Sequence, residues 1–182
     1  DPNNITKIKE SSQTIDKDYI SIPKHISFKT SNNDTAYAFI YEPKNPEYRA
    51  PDDSLPPLLV MSHGGPTSAT NNIYNNLIQG YTTRGWMVAD INYRGSTGYG
   101  TEYRNKLYGN WGVYDVDDCC ELAKLLVDTK QVNPDRLAIR GGSAGGYTTL
   151  AALTFKNIFS IGCSLYGVGD LDLLAKGTHK FE

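Results

Sequence analysis

Four glycines crowd a single serine in the run Arg140-Gly141-Gly142-Ser143-Ala144-Gly145-Gly146. The apolar triplet Leu137-Ala138-Ile139 precedes it, and a helix-forming stretch from Tyr147 to Phe155 follows. A strand that turns into a helix within one or two residues brings its own backbone too close for a Cβ. Gly141 and Gly145 relieve that crowding and leave Ser143 in a strained φ/ψ. The serine side chain is then pushed out at the C-terminal edge of a sheet, where the first free amides of the helix point at the same spot. Such a chain must contain a strand, a tight bend and a helix in direct succession.

The other segments extend this unit. Residues 1–24 are polar, carry no period and read as a linker or edge segment. His25 to Lys29 and Ala36 to Tyr41 alternate in character around Ser31-Asn32-Asn33-Asp34, which predicts an antiparallel hairpin. Pro43 to Pro57 holds five prolines and reads as a surface loop, after which Leu58-Leu59-Val60-Met61 is a short strand buried on both faces. A helix is predicted over Asn72 to Arg84, a strand over Trp86 to Tyr93 and a helix over Tyr114 to Val132. In the last of these, Val116, Cys119, Cys120, Ala123, Leu126 and Val127 fall on one stripe. Asp115, Asp117 and Asp118 open that helix, where carboxylates suit the dipole. Arg136 to Arg140, Ala144 to Lys156 and Ile161 to Leu165 complete the alternation as strand, helix and strand. The order predicts an α/β fold with a mostly parallel sheet, helices on both faces and an N-terminal antiparallel hairpin, as one domain over residues 25–182.

Composition narrows the function. The net charge of −2 gives no basic excess for nucleic acid, and no apolar run approaches the ~18 residues of a membrane span. No segment reads as a signal peptide, so the expected compartment is the cytoplasm, although the chain begins at Asp1. Cys119, Cys120 and Cys163 are odd in number and read as small buried apolar residues. His25, His63 and His179 stand far apart without ligand-like spacing, so no metal and no cofactor is expected. A nucleotide-binding domain needs Gly-x-Gly-x-x-Gly or Gly-x-x-x-x-Gly-Lys after a strand, and neither occurs.

Gly-x-Ser-x-Gly between a strand and a helix is the signature of a nucleophile elbow and points to serine hydrolase chemistry. The competing reading of the same run is a flexible glycine turn. Three further segments narrow the choice, Ser62-His63-Gly64-Gly65-Pro66, Asn92-Tyr93-Arg94-Gly95-Ser96-Thr97-Gly98-Tyr99-Gly100 and Trp111-Gly112-Val113-Tyr114-Asp115-Val116-Asp117-Asp118, which join Gly142-Ser143-Ala144-Gly145-Gly146 as a fourth motif. With Leu165-Tyr166-Gly167 and Thr178-His179-Lys180-Phe181-Glu182, these make the chain resemble the catalytic domain of the prolyl oligopeptidase family. The branch it is most similar to is that of acylaminoacyl-peptidases and dipeptidyl aminopeptidases.

The resemblance implies an α/β-hydrolase fold and a serine peptidase that hydrolyses short peptides through an acyl-enzyme. It makes Ser143 the nucleophile, and the amides of Ala144 and Gly65, with Gly64 behind it, the oxyanion donors. Some branches of the family carry a tyrosine where this chain has His63, so the second donor here is expected to be backbone. His63 precedes the serine, contrary to the Ser, Asp, His order of the fold, and is expected to line or support the pocket. Arg94 is expected to pair with Asp115, Asp117 or Asp118 and pin the loop beneath the site, the alternative being a solvated arginine over acids that only cap a helix. The family's catalytic Asp and His lie well downstream of the serine. No matching pair follows Ser143 here, and His179 belongs to a motif that precedes them. The sequence therefore reads as a fragment with its C-terminal part missing, inactive alone, and expected to self-associate through an exposed sheet edge near Ile161 to Leu165. The neighbouring readings are a carboxylesterase of the same fold and a non-catalytic α/β-hydrolase module.

Overall fold

The computed structural model describes residues 8–9 and 15–178. Strand β1 (Lys24–Lys29) pairs antiparallel with β2 (Thr35–Tyr41), His25 facing Phe39. The bend between them uses Asn32 and Asn33 at φ of 62° and 56°, torsions that asparagine tolerates better than most residues. Then come β3 (Leu58–Ser62), α1 (Asn76–Thr82), β4 (Met87–Asn92), α2 (Thr101–Asn105), α3 (Tyr114–Asp128), β5 (Leu137–Gly142), α4 (Ala144–Phe155), β6 (Ile161–Leu165) and α5 (Leu171–Gly177). The sheet order is β1-β2-β4-β3-β5-β6. The neighbours among β3, β4, β5 and β6 are parallel, and β2 joins β4 antiparallel. This is the mostly parallel sheet with a leading hairpin that the sequence predicts.

Side chains alternate across a strand, so each central strand feeds two cores. Leu58 and Val60 of β3, Ala89 and Ile91 of β4, and Leu137 and Ile139 of β5 share one core with Val116, Cys119, Leu122 and Leu126 of α3 and Ala151 and Ala152 of α4. Leu59, Val88 and Ala138 form the second with Tyr41 and with Ile78 of α1. Helices therefore cover both faces. Among the described residues no helix is long and apolar enough to cross a membrane.

Some expectations need correction. Helix α1 begins at Asn76, not Asn72, because the Asn75 side chain accepts the amides of Leu77 and Ile78 and sets the start. Cys163 is exposed, not buried. Gly162 faces α4, where a Cβ would meet Leu153, so its neighbours Ile161 and Cys163 point to the other face, which no described helix covers at this edge. Helices α2 and α5 are too short to give a period and escape the sequence reading; Asp170 caps α5 by accepting the amides of Asp172 and Leu173.

Candidate active site

Ser143 follows β5 directly and stands as the N-cap of α4 at φ 54° and ψ −120°. Its side chain is exposed, and its hydroxyl does not cap its own helix. The backbone around it is held on both sides. The Ser143 N–H donates to the Leu165 carbonyl (3.0 Å), and the Ser143 carbonyl accepts from the Tyr147 N–H (3.1 Å). The Ala144 amide, first in α4, has no carbonyl one turn back to bond.

The glycines on either side are dictated by close approach. A Cβ on Gly145 would lie 2.1 Å from the Ser62 carbonyl oxygen, and one on Gly141 2.2 Å from the Gly145 carbonyl oxygen. Helix α4 therefore docks backbone against backbone on β3 and β5, which sets the angle of the bend. A non-glycine residue in such torsions typically costs about 1–3 kcal/mol and persists only when its surroundings over-determine it.

The loop after β3 runs alongside. A Cβ built on Gly64 would sit 3.4 Å from the Ser143 Cβ, so the two segments predicted to converge do touch. Gly65 is exposed at φ 125°. His63 is held on every side: its Nδ1 lies 2.8 Å from the Gly64 carbonyl, its Nε2 lies 2.8 Å from the Ser96 Oγ, and its ring stacks on Tyr93 at 4.2 Å. Burial lowers its pKa against an opposing hydrogen bond to Gly64, so the ring is neutral and engaged. The Tyr93 hydroxyl contacts the carbonyls of His63 (3.1 Å) and Pro66 (3.2 Å) and braces the loop from below.

Arg94 is fully buried and pairs with Asp118, at 2.7 Å through Nη2 and 2.9 Å through Nε, while its backbone N–H donates to the same carboxylate at 2.7 Å. Its guanidinium also reaches Ser31 (2.7 Å) and lies 3.9 Å from the Tyr114 ring. The solvated reading of Arg94 is thereby excluded. Asp115 does not join the pair. It accepts the Gly112 N–H (2.6 Å) and the Thr148 hydroxyl (2.5 Å), tying α3 to α4 one turn beyond Ser143. Burial pushes its carboxyl up to about 6 against those two bonds. Asp117 points outward to Lys156 (2.8 Å). Arg94 and Asp115 are thus internal braces rather than pocket walls. His179 lies outside the described residues.

A cavity of about 1240 Å³ lies elsewhere. Tyr19, Lys44, Tyr48, Pro57, Gln79 and Arg136 are among its lining residues, at the end of the sheet where the parallel strands begin. Neither Ser143 nor the loop from His63 to Pro66 borders it. Chemistry in an open α/β sheet belongs at the opposite end, beyond the carboxyl ends of the strands.

The model of the prolyl oligopeptidase family matches residues 73–182. The chain belongs to the prolyl oligopeptidase family. Over 152 residues it is 31% identical to dipeptidyl aminopeptidase BIII of Pseudoxanthomonas mexicana, spanning 82% of this chain and 22% of that protein. Over 110 residues it is 34% identical to the acylamino-acid-releasing enzyme of Rattus norvegicus, spanning 60% of this chain and 14% of the other. Among solved structures it is similar to a puromycin-hydrolyzing peptidase of Mycobacterium tuberculosis, with 43% identity and a TM-score of 0.91 over 94% of this chain and 26% of that one. This member of the prolyl oligopeptidase family thus spans about a quarter, or less, of the length of these relatives. The likeness confirms the α/β-hydrolase fold.

Sequence reasoning missed two sets of residues at this site. Thr30, Ser31 and Asp34 surround Arg94 from the hairpin, a long-range convergence without local signal. Thr70, Asp90 and Asn92 join the loop after β3 to β4, and here a signal existed: an aspartate inside the apolar run Met87 to Ile91.

Proposed function

We propose that this chain carries the nucleophile of a serine peptidase that cleaves short peptides through an acyl-enzyme on Ser143. The observation that carries the reading is the exposed Ser143, held in strained torsions at the N-terminus of α4 with Gly64 packed against it. In the proposed reaction the Ser143 Oγ attacks the substrate carbonyl carbon. The amides of Ala144 and Gly65 stabilise the oxyanion, and one donor of this kind is typically worth about 2.7–4 kcal/mol in the barrier. The C–N bond then breaks, and the hydroxyl proton, relayed by a general base, leaves on the amine. Water splits the resulting ester, releasing the acid and restoring the hydroxyl.

His63 does not supply the base, since its ring nitrogens are engaged by the Gly64 carbonyl and the Ser96 hydroxyl; in this fold the base follows the serine in chain order. We therefore propose that the 182-residue polypeptide alone turns over no substrate. Its β6 edge, which pairs only with β5 among the described residues and exposes Ile161, supports self-association.

The test uses the longest natural polypeptide that carries this sequence. A fluorophosphonate is expected to label Ser143, as mapped by peptide mass, and the same protein is expected to cleave an aminoacyl anilide and puromycin, itself an aminoacyl amide. The isolated 182 residues are expected to do neither at a comparable rate. Faster turnover of a simple acyl ester, with no cleavage of either amide, would move the reading to a carboxylesterase. Absence of label at Ser143 would overturn the nucleophile.

A further inference from the structure

Strand β4 reads Met87-Val88-Ala89-Asp90-Ile91-Asn92 and is buried throughout, yet two of its residues are polar. Both seize the same partner across the loop. The Thr70 hydroxyl donates to the Asp90 carboxylate, the Thr70 N–H donates to the Asn92 Oδ1 (2.8 Å), and the Asn92 Nδ2 donates to the Thr70 carbonyl (3.1 Å). Thr70 closes the loop that starts at His63 and includes Gly64 and Gly65. Midway, the Ser68 carbonyl accepts the Thr97 N–H (2.8 Å). Beside these bonds opens a cavity of about 370 Å³, lined by His63, Thr70, Asn71, Tyr74 and Asp90 among others. At its Thr70 end the loop is therefore tied to β4 by hydrogen bonds, while at its His63 end it rests on the Tyr93 ring.

We propose that Asp90 is a positioning residue which, through the Thr70 hydroxyl, sets where the loop from His63 to Thr70 places its amides beside Ser143. The proposal rests on the reading of Ser143 as nucleophile and Gly65 as oxyanion donor. Stability gives no reason for a carboxylate here. Asp90 is 7% exposed, and a buried charge is costly unless paired, whereas a β-branched apolar residue suits a central strand. Burial pushes its carboxyl up to about 6, with the Thr70 bond opposing.

The groups facing the carboxylate are few. From β2 comes Tyr41, whose buried hydroxyl has no hydrogen-bond partner among the described residues and is pushed up to about 12 by burial and by the Asp90 charge. From the loop come His63, kept neutral by burial, and Tyr74. No lysine or arginine lines the cavity. An acid whose folded pKa lies above its unfolded value binds its proton more tightly when folded. Stability is therefore lost as pH rises from about 4 through about 6, and ionised Asp90 is a burden on the fold at neutral pH. The bond from Thr70 is charge-assisted, and so strongest, only above that range.

The experiment measures phosphonylation of Ser143 and amide turnover in the longest natural polypeptide, from about pH 5 to about pH 8, with urea unfolding at neutral pH. Losing a bond to a charged group in the transition-state geometry corresponds to about a tenfold loss of rate. Thr70→Val is therefore expected to lower kcat and the labelling rate about tenfold with KM little changed, and Thr70→Ser is expected to restore both. Asp90→Asn is expected to be slowed to a similar extent at about pH 8, to approach the wild-type rate below about pH 6, and to unfold at the wild-type urea concentration or higher. Wild-type rates in Thr70→Val and Asp90→Asn, with Ser143→Ala unlabelled, overturn the positioning role. The role is equally overturned if Thr70→Ser fails to rescue, or if Asp90→Asn is slow and also less stable at neutral pH, since both are marks of a merely structural part. Labelling of Ser143→Ala at the wild-type rate overturns the underlying nucleophile instead.

Discussion

Ser143→Ala is expected to reduce amide turnover by about a million-fold in the longest natural polypeptide carrying this chain, the scale on which a hydrolytic triad fails when its nucleophile is removed. Stability should hardly move. Alanine keeps the Cβ, so it inherits the torsions of φ 54° and ψ −120°, and the docking of α4 on Ser62 depends on Gly145, not on the hydroxyl. The hydroxyl is exposed and caps nothing, so its loss leaves no buried partner unsatisfied. The expected signature is a collapse of kcat with an unchanged urea midpoint and near-unchanged binding of a peptide product. Retained turnover would mean that some other group is acylated, and a collapse of both activity and stability would place Ser143 in the scaffold rather than in the chemistry.

Asp118→Ala should act in the opposite sense, on the fold before the chemistry. It leaves the Arg94 guanidinium fully buried with the Asp34 carboxylate no nearer than 3.9 Å. Breaking one half of a buried pair typically costs about 3–5 kcal/mol, a large share of the ~5–15 kcal/mol that holds a domain together. The loss should appear as a drop in the urea midpoint, smaller in Asp118→Asn, whose amide oxygen still accepts one Arg94 N–H. Replacing both partners, Arg94→Met with Asp118→Leu, is expected to recover much of it, because the penalty lies in the orphaned charge and not in the absence of the pair. If the double variant is as unstable as the single one, the pair contributes through shape and hydrogen bonding to Thr30 and Ser31 instead.

The bend at Ser143 and the alternation of strands and helices were legible because they rest on local rules: glycines where a backbone crosses, apolar runs where a strand is covered on both faces. The choice among Asp115, Asp117 and Asp118 was not made from sequence, although it was within reach. Asp115 and Asp118 stand at helical spacing from Cys119 and Leu122 and share their buried side, while Asp117 leaves that side and pairs with Lys156 near the surface. What lay beyond reach was the identity of the partners: Thr30 and Ser31 come to Arg94 from 64 and 63 residues away. Cys163 was misread because its exposure depends on which face of an edge strand a helix covers, and no property of cysteine itself carries that information.

The unfavourable torsions of Ser143 last only while α4 lies flush on the carbonyls of Ser62 and His63. Whatever moves α4 off those carbonyls also removes what supports the Ser143 torsions, so the shape of the bend and the seating of the helix stand or fall together.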